Sequence, residues 1–189
     1  MITLNDDSYI SKGAERKCYA HPEDPSKLIK IQYKNGRNQN NLDVFYYNHL
    51  SKSPISYSHI PKCYQKVDTT KGEGLVFDAI KNYDGEYAQS IEEIITLNTL
   101  SHDVEKQLLN ELKVYLKKNL IIFGDVVLSN ILCQEFEEKK YKLIIVDGLG
   151  ARRFGLQFWL HTHSKFLTKI RIYKQWKKVI NNYNEIERK

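Results

Sequence analysis

The chain has 189 residues, with 29 Lys and Arg against 23 Asp and Glu and a net charge of +6 when histidine is neutral. That length supports one domain or a close pair of lobes with a sizeable core, and no run approaches the about 18 apolar residues of a membrane-crossing helix. Met1 to Asp7 has neither the basic start nor the apolar run of a secretory signal, and Cys18, Cys63 and Cys133 have no CxxC or metal-ligand spacing, so a cytoplasmic protein with reduced thiols is expected.

Tyr9 to Lys12 and Arg16 to Ala20 read as two strands around a turn at Gly13. A glycine there permits close backbone approach to a phosphate, and it serves an ordinary hairpin turn equally well. After the turn His21 to Ser26, Lys27 to Tyr33 is a strand in which Lys30 points away from Ile29 and Ile31. Such a lysine stands either on a wet face or against a ligand. Asn35 to Asn41 is a Gly/Asn-rich loop. Leu42 to Leu50 follows as a helix with the stripe Leu42, Phe45, Tyr46, His49 and Leu50, and Asp43 lies beside that stripe. Ile60 to Val67 and Gly74 to Ile80 are two more strands around a turn at Thr69 to Gly72. Asn82 to Gly85 is a hinge-like turn, dividing the chain into residues 1–83 and 84–189.

Helices dominate the second part. Ser90 and Glu93 have capping-box spacing at the head of a short helix. A longer helix from Ser101 to Asn119 carries the stripe Val104, Leu108, Leu112, Tyr115 and Leu116. Two apolar runs with acids at their edges follow, Phe123 to Cys133 and Leu143 to Gly150. The closing helix has a stripe Phe166, Ile170, Tyr173, Trp176 and Ile180 that is expected to face the core, with Arg171, Lys174 and Lys178 on another side. Arg152 to Lys178 holds eight Lys and Arg and no acid. This basic region is a solvated helix face or a surface for an anionic membrane or ligand; nucleic acid is not expected as a partner.

Asp125 is followed five residues later by Asn130, and Asp147 ends a strand and opens a glycine turn. Phosphoryl transfer uses this set: one Asp orients or accepts the hydroxyl proton, while an Asn and a second Asp hold Mg²⁺. Gly13, Lys30, Asp43, the strand Val76 to Ile80, Asp125, Asn130 and Asp147 occur in the order of the protein-kinase signature parts.

The runs Arg16 to Asp24, Ile29 to Ile31, Tyr46 to Leu50 and Ser129 to Cys133, with the Asp147 turn, resemble the YrbL family, the PhoP regulatory network proteins. The resemblance extends from about Leu4 to Trp176. It implies an α+β, minimal two-lobed protein-kinase-like fold, with an antiparallel sheet and one helix before a reduced helical lobe. It implies ATP and Mg²⁺ as cofactors. Lys30 would hold the α- and β-phosphates and Asp43 would orient Lys30. Asp125 would be the catalytic base, and Asn130 and Asp147 the metal ligands. Gly13 would cover the phosphates, and Val76, Phe77, Asp78 and Ala79 would border the adenine.

Several positions depart from protein kinases. The helix acid is Asp43, not Glu. Phe123-Gly124 replaces His-Arg, Val127 stands where a loop lysine is usual, and only 39 residues follow Gly150. These features favour a small-molecule or glycan acceptor, with a protein hydroxyl and nucleotidyl transfer left open. A pseudokinase that binds nucleotide or a partner without catalysis, and a membrane-surface or polyanion-binding module, are the alternatives.

Overall fold

The computed structural model describes residues 1–33, 38–151, 153 and 155–187. A short 3-10 turn at Asp6–Ser8 leads into β1 (Tyr9–Lys12), β2 (Arg16–Ala20) and β3 (Lys27–Gln32). Helix α1 (Gln39–Leu50) intervenes before β4 (Cys63–Thr69) and β5 (Gly72–Asp78). These strands form an antiparallel sheet of order β1-β2-β3-β5-β4. A second antiparallel sheet of order β6-β7-β8 contains β6 (Gln89–Ser90), β7 (Ile131–Glu137) and β8 (Lys140–Ile145). Helices α2 (Ile91–Thr96), α3 (His102–Asn119), α4 (Leu156–His163) and α5 (Lys165–Glu187) complete an α+β architecture.

Strand alternation gives the first sheet two different faces. Cys18 lies opposite Lys30, Tyr19 opposite Ile29, and Ile29 opposite Val76. Tyr19, Ile29, Ile31 and Val76 bury a small core with Leu4 on one face. Leu75 and Phe77 lie on the other face. They join a much larger core containing Tyr46, Tyr47 and Leu50 of α1, the apolar faces of α2 and α3, and residues of β7, β8 and α5. This core runs on past the turn at Asn82 to Gly85 without a break.

Buried tyrosines tie loop backbone to the core, and Tyr46 and Tyr115 join the sheet half to the helical half. The Tyr46 hydroxyl accepts the Ile122 N–H at 2.8 Å, Tyr47 donates to the Pro61 carbonyl at 2.9 Å, and Tyr115 donates to the Ser56 carbonyl at 2.5 Å. Each ring fills core volume while its polar tip satisfies a loop backbone group that burial would otherwise strand. The capping box of α2 is formed: Ser90 Oγ accepts the Glu93 N–H, and the Glu93 carboxylate accepts the Ser90 N–H.

Two helix faces differ from the periodicity. Of the loop expected at Asn35 to Asn41, Asn35 to Arg37 lie outside the described residues, and Gln39 to Asn41 are already helical. Helix α1 buries Asn40, Leu42, Asp43, Tyr46, Tyr47 and Leu50, while Phe45 is exposed. The helix is turned so that Asp43 reaches a buried cation. Helix α5 buries Thr168, Ile172, Gln175, Trp176, Val179 and Tyr183, leaving Phe166, Ile170 and Tyr173 outside. Its rotation is held by Tyr183, which donates to the buried Glu105 carboxylate of α3 at 2.7 Å.

The Tyr46 contact can be tested by Tyr46→Phe. The change keeps the ring and leaves the buried Ile122 N–H without its acceptor, so the unfolding free energy should fall by about 1–3 kcal/mol in urea melts. An unchanged midpoint would remove this bond from the account of how α1 is anchored.

Candidate functional site

A cleft of about 620 Å³ opens between the first sheet and the β7–β8 sheet, and Gly13, Arg16, Lys30, Phe77, Asp125, Asn130 and Asp147 all line it. Strand pairing brings the two cations there. Arg16 and Cys18 share the face of β2 that lies across from Lys30 on β3, so all three point away from the Ile29–Val76 core.

Arg16 is the central residue, and it is only 3% exposed. Nη1 donates to Asp43 Oδ2 at 2.6 Å and to Asn40 Oδ1 at 3.2 Å, both on α1. Nη2 donates to Asp147 Oδ1 at 2.7 Å. The expected Asp43–Lys30 pair is therefore replaced by an Asp43–Arg16 pair. An Asp side chain is one methylene shorter than Glu, and the longer, forked guanidinium of the neighbouring strand closes that distance. Burial by itself would lower the Arg16 pKa, but Asp43 and Asp147 outweigh it and raise it further above its ordinary value.

Lys30 instead donates to the Val146 carbonyl at 2.6 Å, directly before Asp147, with its ammonium 4.7 Å from the centre of the Phe77 ring. Burial pushes the Asp147 carboxyl upward. The charges of Lys30 and Arg16 and the Gly148 N–H more than reverse this and hold it below the usual carboxylate range. The Gly148 N–H meets Asp147 Oδ1 at 2.7 Å, so Arg16 and this amide engage the same carboxylate oxygen.

Asp125 and Asn130 sit on a loop tied to the Asp147 turn. The Asp125 N–H donates to the Gly148 carbonyl at 3.0 Å, and Asn130 Nδ2 donates to the Asp125 carbonyl at 3.2 Å. The Gly150 N–H donates to the Ile122 carbonyl at 2.8 Å, and Phe123 bridges Leu149. Gly148 has φ +74°, and a Cβ there would lie 2.7 Å from the Asp125 Cβ. A Cβ on Gly124 would collide with the Gly150 carbonyl. The Phe123-Gly124 pair thus has a packing reason: Phe123 is buried and Gly124 lets two loops touch.

The remaining predicted residues divide. Phe77, Asp78 and Gly13 line the cleft, whereas Val76 faces the opposite core and does not. The Ala79 N–H donates to the Ser26 carbonyl at 2.8 Å, and the Asp78 N–H to the Lys62 carbonyl at 3.1 Å, so these two amides are engaged within the protein. A Cβ on Gly13 would meet nothing nearer than the Arg16 carbonyl at 3.8 Å; the fold itself does not demand a glycine at this tip.

The donor set suits Mg²⁺. No group of three His, Cys, Asp or Glu side chains gathers as a cation site among the described residues. Mg²⁺ does not need one, since it commonly uses one or two protein oxygens and takes the rest from water and phosphate. Asp147 and Asn130 offer such oxygens. Arg16 Nε is buried with no hydrogen-bond partner among the described residues, so the guanidinium keeps one donor unfilled.

Arg16 was the site residue that reasoning from periodicity missed. An Arg two residues before Cys18, on the same strand face as Lys30 across the turn, was the available signal.

Two measurements test this geometry. Gly124→Ala should destabilise the fold by about 1–3 kcal/mol through overpacking against Gly150, whereas Gly13→Ala should leave the thermal midpoint unchanged. Asp147 has a folded-state pKa below its unfolded value, so its contribution is full above about pH 4 and is lost as pH falls through the folded pKa. Urea midpoints of wild type and Asp147→Asn should therefore converge on acidification below about pH 4; a gap that stays constant would contradict the charge assignment.

The YrbL family model, described as PhoP regulatory network protein YrbL, matches residues 2–184. The chain is 32% identical over 185 residues to the Uncharacterized protein YrbL of Escherichia coli (strain K12), covering 95% of this chain and 87% of that protein. The Shigella flexneri protein of the same name gives the same identity and coverage.

Proposed function

The chain belongs to the YrbL family of PhoP regulatory network proteins, and from that premise we propose that its cleft is the site of an ATP- and Mg²⁺-dependent phosphotransferase with a small protein-kinase-like fold. The observation that carries this reading is the convergence of Arg16, Lys30, Asp125, Asn130 and Asp147 on one cleft of about 620 Å³, a volume suited to a nucleotide.

Asn130 and Asp147 would hold Mg²⁺, with Asp147 offering Oδ2 because Arg16 and Gly148 already engage Oδ1. When bound, the ion neutralises phosphate oxygens as charge develops. Arg16 and Lys30 supply two further positive charges from the sheet side. Arg16 takes the place between helix acid and metal acid that a strand lysine holds in protein kinases. The β1–β2 tip at Gly13 offers backbone without a side chain to the phosphates.

Asp125 orients the acceptor hydroxyl and takes its proton as the oxygen attacks the γ-phosphorus. The bond to the bridging oxygen breaks, and its electron pair leaves on ADP. A small hydroxylated molecule or glycan is the favoured acceptor class, because Phe123-Gly124 stands where protein kinases carry His-Arg.

One observation favours a second reading. In this state Arg16 is bonded to the acid that would hold metal, and the Ala79 amide is engaged by Ser26. A non-catalytic regulator that binds nucleotide would tolerate both.

Calorimetry with Mg·ATP and a phosphate-release assay separate the two. The wild type should bind and release phosphate, and Asp125→Ala should bind but release about 10²-fold less or below. Binding with no turnover in the wild type establishes the regulator. Equal turnover in Asp125→Ala removes the catalytic base, and absence of nucleotide binding defeats both readings.

A further inference from the structure

Helix α5 has two apolar faces. One packs into the core through Ile172, Trp176, Val179 and Tyr183. The other consists of Phe166, Ile170 and Tyr173, which are 71%, 37% and 55% exposed. Their i, i+4, i+7 spacing holds them within an arc of about 60°. Lys169, Lys174 and Lys177 are exposed on the same half of the helix.

The row runs into a groove between α3 and α5 of about 620 Å³. Tyr173 and Lys177 line one wall, and Lys106, Lys113 and Lys117 line the other. No acid is among its lining residues. Lys177 Nζ lies 4.8 Å from the Tyr173 ring centre. Apolar residues therefore pass directly into a cluster of lysines, three from α3 and Lys177 from α5, and the α5 side belongs to a stretch from Arg152 to Lys178 that holds eight cations and no acid.

An exposed row of this kind marks a surface that is covered in use, and its charge selects the occupant. A second copy apposed here would set lysines against lysines at less than a Debye length. A nucleic-acid strand would use the lysines and the Phe166 and Tyr173 rings, but it would leave the aliphatic Ile170 between them without a partner. A bilayer with anionic headgroups matches both features. Its interface accepts apolar side chains, and its phosphates take lysine ammonium groups.

We propose that α5 and its groove with α3 form a docking surface for anionic phospholipid bilayers. Phe166, Ile170 and Tyr173 enter the headgroup layer, and Lys106, Lys113, Lys117 and Lys177 hold lipid phosphates. This surface is independent of the cleft and stands whether or not the cleft is catalytic.

Co-sedimentation of the full chain with vesicles tests it, comparing phosphatidylcholine alone with phosphatidylcholine containing about 30% phosphatidylglycerol, in ~0.1 M and ~0.5 M NaCl. Wild type should partition onto the anionic vesicles at least about tenfold more than onto neutral ones, and less at high salt. Lys113→Gln with Lys177→Gln should reduce partitioning about 25-fold, at about fivefold per lysine. Phe166→Ser with Ile170→Ser should reduce it about tenfold or more while the far-ultraviolet circular dichroism stays that of the folded chain. Failure to sediment, equal binding to neutral vesicles, or salt-independent binding overturns the proposal. So does full retention by the Phe166/Ile170 variant. Duplex DNA or polyglutamate that binds this variant as well as wild type would reassign the surface to an acidic macromolecule and also overturn it.

Discussion

A buried arginine cannot shed its charge, so the structure around Arg16 must supply carboxylates or not form. It supplies two, from places far apart in the chain. Asp43 comes from α1 and Asp147 from the turn after β8, and both meet Arg16 of β2. One guanidinium thereby fixes the helix and the metal-type acid relative to the sheet. Lys30 adds a second tie to the same turn through the Val146 carbonyl. Two cations and two carboxylates thus hold the three walls of the cleft in register.

The loops that carry Asp125 and Asp147 are joined differently, by close backbone contact. Gly124, Gly148 and Gly150 lie where side chains would strike the Gly150 carbonyl, Asp125 and the Tyr46 ring respectively. The contact sets Asp125, Asn130 and Asp147 in one cluster through backbone hydrogen bonds and close-packed glycines, to which Arg16 adds a side-chain bond at Asp147. Much of the positioning is done by glycines and by the Tyr46 hydroxyl on the Ile122 amide. Positioning through backbone is also stiff, because neither loop can shift without breaking hydrogen bonds of the other.

Much of this architecture was legible in residues alone. Alternation about Lys30 placed it away from Ile29 and Ile31, and Ser90 with Glu93 announced the α2 cap that forms. What periodicity did not contain was the rotation of helices whose faces are mixed. Asp43 displaced Phe45 from the buried face of α1 because an ion pair with Arg16 outweighs one apolar ring. Phe166, Ile170 and Tyr173 lost the core face of α5 to Thr168, Gln175 and Tyr183, polar residues that no apolar count would choose. The role of Arg16 was hidden for a related reason: a charged residue in a strand ordinarily marks the wet face, and its partners lie 27 and 131 residues away. Only tertiary structure brings those partners to it.

The central claim is that Arg16 and Asp43 form one buried, coupled pair that organises the cleft. A double-mutant cycle with Arg16→Met, Asp43→Asn and the double variant, read by urea unfolding at neutral pH, measures it most directly. The account predicts that each single change deprives a buried charge of a partner, Asp43 of its cation or Arg16 of one of its two carboxylates, so that the double variant is more stable than additivity allows by about 1–3 kcal/mol. Additive losses, with no coupling between the two positions, would contradict it.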